Sequence, residues 1–160
     1  MHRCVGWIAL MAGLLAAGTA QAEGKLGVFD AWIRAAPPGA TMLAGYATLK
    51  NTGDEPLSVL TVQSDAFRMT SLHETVVDKD VSKMREMHRL VIAPGETVQL
   101  APGGKHLMLM HPRGAIAPGQ RIQVTFLLGD GRRVVTNFDV VAPDADEAGE
   151  GEVAPHAHHH

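Results

Sequence analysis

From Lys25 to Val141 the chain never runs far without a turn signal. The punctuation NTGDEP, APGE, APGG, APGQ and GDG separates nine short runs: GVFDAWIRA, AGYATLKN, LSVLTVQS, FRMTSLHETVV, KMREMHRLVI, ETVQLAP, KHLMLMH, RIQVTFLLG and RRVVTNFDVV. No run keeps a helical period for three turns, whereas alternation of apolar and polar residues is what a half-buried strand requires. The GDG between the last two runs is a hairpin signal. Many short strands at this spacing predict an all-β fold, an antiparallel β-sandwich or barrel with Greek-key connections.

The two ends differ from this body. The opening MHRCVGWIALMAGLLAAGTAQAEG sets His2 and Arg3 before an apolar run and closes it with Ala20-Gln21-Ala22. This predicts a signal peptide over residues 1–22 and a periplasmic destination, the run being too short for a stable span of roughly 20 apolar residues. A lipid-anchored form would need its cysteine just after the run, and the single cysteine, Cys4, precedes it. Residues 23–142 are then one domain of ordinary size, expected to be a monomer, with no thiolate for metal or catalysis. Residues 143–160, APDADEAGEGEVAPHAHHH without its first residue, bury too little apolar surface to order and read as a disordered acidic tail. Its His156, His158, His159 and His160 offer imidazole to Cu(II) and other divalent ions. From Glu23 onward 13 Lys and Arg face 17 Asp and Glu, five of the acids lying in the tail, so the body gives no signal for nucleic acid.

Chemistry concentrates in two stretches. In KHLMLMHP, alternation sends His106, Met108 and Met110 to one face and Leu107, Leu109 and His111 to the other. Taken alone, this is equally the pattern of a strand with methionine as core filler and a half-exposed histidine. Upstream, LHETVVDKDVSKMREMH carries His73, Met84, Met87 and His88, and its DKD is a plausible turn that brings His73 and Met84 together on opposite arms of a hairpin. Three strands would then offer two imidazoles and two thioethers. Thioether sulfur is soft and uncharged and favours Cu(I), zinc would prefer cysteine, histidine or carboxylate, and blue-copper chemistry needs a cysteine. Such a site holds Cu(I) without strong visible colour.

His73, ten residues, Met84, twenty-one residues, His106, one residue, Met108 is also a spacing that resembles the periplasmic PCuAC copper chaperones, the DUF461 group. AWIRAAPPGATMLAGYATLKNTG, KMRE and APGGKHLMLM extend the resemblance over about Asp30 to Val141. It implies a cupredoxin-like antiparallel Greek-key β-sandwich holding Cu(I) at an exposed site formed by His73, Met84, His106 and Met108. It further implies delivery of copper to the CuA centre in subunit II of cytochrome c oxidase, beside a thioredoxin-like copper and thiol protein. Met87, His88, Met110 and His111 lie outside the motif. His88 shares a face with Met84 if its strand is regular, which would make it an auxiliary ligand; Met110 is a shield or a core filler; Met87 and His111 point away.

No nucleophile elbow, zinc-protease helix or phosphate-binding loop is present, so an enzyme is not expected. Two other readings are copper storage without an oxidase client, and a sandwich that binds no metal in its body and scavenges ions with its tail.

Overall fold

The computed structural model describes residues 25–143. The segment read above as leader, 1–22, and all but the first residue of the tail, 143–160, lie outside the described residues. Ten strands make up the rest: β1 (Leu26–Arg34), β2 (Met42–Asn51), β3 (Leu57–Gln63), β4 (Phe67–Asp78), β5 (Val81–Met87), β6 (Leu90–Ile92), β7 (Thr97–Leu100), β8 (Lys105–Pro112), β9 (Arg121–Leu128) and β10 (Arg133–Val141). No helix occurs among the described residues.

Turn chemistry sets where the strands stop. In APGE, APGG and APGQ, and in PPGA at 37–40, the amide after glycine bonds back to the carbonyl before the Pro-Gly pair, as in Gly104 N to Ala101 O at 3.0 Å. Proline presets the second position and glycine takes the left-handed third, at φ 78° in Gly103, which is a type II turn. The β4–β5 hairpin is tighter. Asp78 pairs with Val81, and Lys79 and Asp80 between them both have positive φ, 49° and 63°, the type I′ geometry that matches strand twist.

The strands join in the order β5-β4-β8-β7-β2-β1-β10-β9-β3-β6, with β8 also pairing β2. Pairing is antiparallel except for a short β7–β8 contact and the β1–β10 seam, where Trp32, Ile33 and Arg34 run parallel to Asp139, Val140 and Val141. A bulge in β1 between Phe29 and Trp32, with Asp30 at φ 49°, bends that strand just before it meets β10. The links β2–β3, β3–β4, β5–β6, β6–β7 and β8–β9 cross between the two halves of this order, as Greek-key chains do.

The halves close on one apolar cluster. Leu43, Leu72, Leu107 and Leu109 come from the β4-β8-β2 side, and Val59, Val62, Val124, Phe126 and Phe138 from the β9-β3 side and its seam strand. Phe126 and Phe138 are fully buried with rings 6.3 Å apart. Each such side chain contributes about 1.5–3 kcal/mol by leaving water. Among the described residues no methionine belongs to this buried core, and Met87 is the one methionine packed against it.

Two departures from the sequence expectations matter for the site. The run KMREMHRLVI is not one strand: β5 ends at Met87, a bend occupies His88, and β6 starts at Leu90 on the other half, paired with β3. The alternation of β8 breaks at His111, which has φ 53°, is exposed and donates its amide to Thr41 O at 2.7 Å, so it does not join Leu107 and Leu109 in the core.

Candidate metal centre

Strands β5, β4 and β8 lie side by side, and their register sorts side chains into rows. On the core face, Leu72 pairs with Leu107 and Thr70 with Leu109. The outer face of β4 therefore carries Met69, Ser71, His73 and Thr75, and that of β8 carries His106, Met108 and Met110. His73 stands directly opposite His106, Ser71 opposite Met108, and Thr75 opposite Met84 on β5. Met84 and Met108 are thus the diagonal neighbours of the histidine pair on either side, within reach of long side chains.

The imidazole rings are 6.0 Å apart between centroids and inclined by 32°. That is too far for stacking contact, but a metal–nitrogen bond of about 2 Å on each side, added to the two ring radii, spans about the same distance. Each ring is oriented by a neighbour. His106 Nδ1 lies 3.0 Å from the Gly104 carbonyl, so it is the protonated donor and Nε2 keeps its lone pair. His73 Nε2 is 2.8 Å from the Ser71 hydroxyl, and its Nδ1 is a buried nitrogen without a hydrogen-bond partner. A buried imidazole nitrogen left unpaired costs free energy unless something binds it. Backbone or hydroxyl partners that fix the second nitrogen are the usual support of a metal-ligating histidine.

The four residues differ in exposure. His106 is buried, Met108 and His73 are half-buried, and Met84, on the edge strand β5, is 60% exposed. Among the described residues no group of three or more His, Cys, Asp or Glu is placed to hold a metal ion. The donors flanking the imidazole pair are thioethers, a set suited to a soft monovalent ion.

The residues outside the motif separate. Met110 shares the outer face and follows Met108 along β8, so it is not core filler. Met87 pairs with Leu72 and packs on the core. His88 sits in the bend after β5, so the regular strand that would have aligned it with Met84 is absent.

Sequence reading missed the neighbours that shape the site. Glu86 stands opposite His73, and Ser71 and Gly104 orient the two rings. Tyr46, buried and next to His106 in the continued β2–β8 register, packs its ring 4.5 Å from that of Trp32. Met42 and Met69 occupy the same face. Alternation flags the strand positions among these, though not Gly104 in its turn; what it lacks is which strands lie adjacent.

Beneath the site, Glu74 ties the three strands together on the opposite face, to Lys105 of β8 at 2.7 Å and to Arg85 of β5 at 2.9 Å. The Lys105 ammonium first, and the Arg85 guanidinium second, hold its carboxyl below the ordinary value of 4.5. Because the folded value is depressed, the contribution of ionised Glu74 is complete above pH 4.5 and disappears as pH falls through the folded value. The urea midpoint of wild type is therefore expected to exceed that of Glu74→Gln at neutral pH, with the gap closing in acid below 4.5. A gap of constant size across that range would contradict the clamp.

The all-β sandwich has the cupredoxin-like fold of a PCuAC domain. The chain belongs to the family described as "Putative lipoprotein LpqE-like", whose model matches residues 26–140. Lxx21020 of Leifsonia xyli subsp. xyli (strain CTCB07), which carries the same kind of lipoprotein description, is 37% identical over 133 residues, covering 82% of this chain and 76% of the relative. The copper-bound PCuAC domain from PmoF2 is similar in structure at TM-score 0.63 and 25% identity, covering 75% of this chain and 95% of that one. The Cu(I) form of DR1885 from Deinococcus radiodurans is similar at TM-score 0.59 and 26% identity, over 78% and 83% of the two chains.

Proposed function

We propose that this chain is an exported, non-enzymatic Cu(I) carrier that works in the periplasm and passes its ion to the CuA centre in subunit II of cytochrome c oxidase. The single observation that carries the reading is the cross-strand pair His73 and His106, 6.0 Å apart, one of whose nitrogens is buried and unpartnered, with thioethers as diagonal neighbours. The copper-bound state of the PmoF2 domain and the Cu(I) state of DR1885 support it. His73, Met84, His106 and Met108 are the proposed ligands. A thioredoxin-like copper and thiol protein is the proposed co-worker in assembly.

A carrier has to hold its cargo against free solution and still release it to a partner. Neutral donors on an outer sheet face serve both needs. Met84 is the weakest-held member of the set, on an edge strand and largely exposed, so an incoming ligand replaces its sulfur first while His106, buried and oriented by Gly104, releases last. Copper then moves by ligand exchange: each coordinate bond given up by a carrier residue is replaced by one from the incoming partner, and no covalent bond of the carrier changes.

The test is genetic and spectroscopic. A strain lacking the protein, grown under copper limitation, is expected to assemble oxidase deficient in CuA, and added copper restores the centre. Normal CuA content in that strain would sink delivery and leave storage as the role.

A further inference from the structure

The methionines of this chain are distributed in a way the four-residue site does not use. Met42 on β2 stands directly opposite Met110 on β8, and Met110 stands directly opposite Met69 on β4. The three form one row across three adjacent strands, on the same outer face as His106 and Met108. Met42 is 56% exposed and Met69 57%, with Met110 half-buried between them. Core packing does not account for them, since the buried core contains no methionine. Of the six methionines after residue 22, five (Met42, Met69, Met84, Met108 and Met110) share this one face.

We propose that Met42, Met69 and Met110 form a second, all-thioether site for monovalent copper that feeds the imidazole-bearing site beside it. This rests on the reading of the chain as a Cu(I) carrier. Directly opposed residues have Cβ atoms about 5 Å apart, and methionine carries its sulfur on a flexible unbranched stem, so sulfurs from the outer strands can converge over Met110. Three soft, neutral donors select Cu(I) over the hard divalent ions. With no imidazole in the set, the row binds more weakly than the site containing His73 and His106. Met110 and Met108 are alternate residues of one strand, about 7 Å apart along it. Met108 is therefore the shared boundary: an ion caught by the exposed row passes to Met108 and on to the imidazoles without leaving the sheet face. The gradient runs from all-sulfur to mixed sulfur and nitrogen, from exposed to buried.

The proposal is tested on the full chain labelled at the methionine methyl groups, titrated without oxygen first with Ag(I), a redox-inert stand-in, and then with Cu(I) against a chelator. Two equivalents are expected. The first shifts the methyl signals of Met84 and Met108, and the second, weaker one shifts those of Met42, Met69 and Met110. The variant Met42→Leu/Met69→Leu/Met110→Leu, volume-conserving at exposed or half-exposed positions, is expected to lose the second equivalent, keep the affinity of the first, and load the first more slowly from the chelator. One equivalent in wild type, with shifts at Met84 and Met108 but none at Met42, Met69 and Met110, would overturn the second site while leaving the carrier intact. Absence of any methyl shift would overturn the carrier reading itself. The wild-type titration decides the matter even if the triple variant folds poorly.

Discussion

The double variant His73→Ala/Met108→Ala is expected to lose the tight Cu(I) equivalent altogether, measured anaerobically by competition with a chromogenic Cu(I) chelator. The two residues come from different strands, β4 and β8, and removing them leaves one imidazole and one exposed thioether of the proposed set. Loss of a supporting partner outside the ligand set usually costs about 10–100-fold in metal affinity, so loss of a direct donor sets a larger scale. His106→Ala alone is accordingly expected to weaken binding by more than about 100-fold, since His106 is the most buried of the four and is held in register by Gly104. Met84→Ala, on the exposed edge strand, should have the mildest effect. None of the four belongs to the apolar cluster, so thermal midpoints of the apo variants should stay near wild type. A double variant that still binds within about tenfold of wild type, a difference near 1.4 kcal/mol, would remove these residues from the ligand set.

The second large effect concerns stability rather than metal. Asn51 ends β2 fully buried, and both polar atoms of its side chain are hydrogen-bonded. Its Nδ2 donates to Glu55 O at 2.8 Å and to Ile92 O at 3.0 Å, and its Oδ1 accepts from Gly53 N at 3.0 Å. Its backbone joins the 93–96 turn, donating to Glu96 O and accepting from Gly95 N. One side chain thus fastens the end of β2, the following loop and strand β6, which belong to different halves of the sandwich. Asn51→Ala strands the buried Ile92 carbonyl, together with the Glu55 carbonyl and the Gly53 amide at part-buried positions, at about 1–3 kcal/mol for each group that water cannot reach. We expect a loss of about 3 kcal/mol overall, seen as a fall in Tm of roughly 10 °C for a domain of this size. Asn51→Asp should not rescue it, because a carboxylate keeps the acceptor for Gly53, loses both donors and buries a charge. A loss below about 1 kcal/mol for Asn51→Ala would mean that solvent enters the loop and satisfies the stranded groups.

Asn51 also illustrates what was not legible in advance. In the sequence it is the first letter of NTGDEP, a turn signal like any other. That it is a buried junction depends on β6 arriving from 41 residues away. The break at His88 has the same origin. Alternation continues through KMREMHRLVI, but the chain must leave β4 and cross to β3 on the opposite half, so one strand becomes two. The parallel β1–β10 seam is likewise invisible locally, since pairing between the first and last strands leaves no mark on either one's pattern. His111 failed for a different reason: a strand that turns at a positive φ abandons its period of two.

Apart from the bend at His88 and the break at His111, the sequence on its own determined which residues are extended, where the chain turns and, within each strand, which side chains share a face. These are short-range properties, settled by the two-residue repeat of a strand and by proline and glycine at fixed turn positions. His106 and Met108 on one side of β8 with Leu107 and Leu109 on the other followed from that repeat alone. Tertiary structure decided which faces meet. His73 opposes His106, and Met110 stands between Met42 and Met69, because burying Leu72 against Leu107 and Leu43 against Leu109 allows one register, and a slip of a single residue would drive the leucines into water and the histidines into the core.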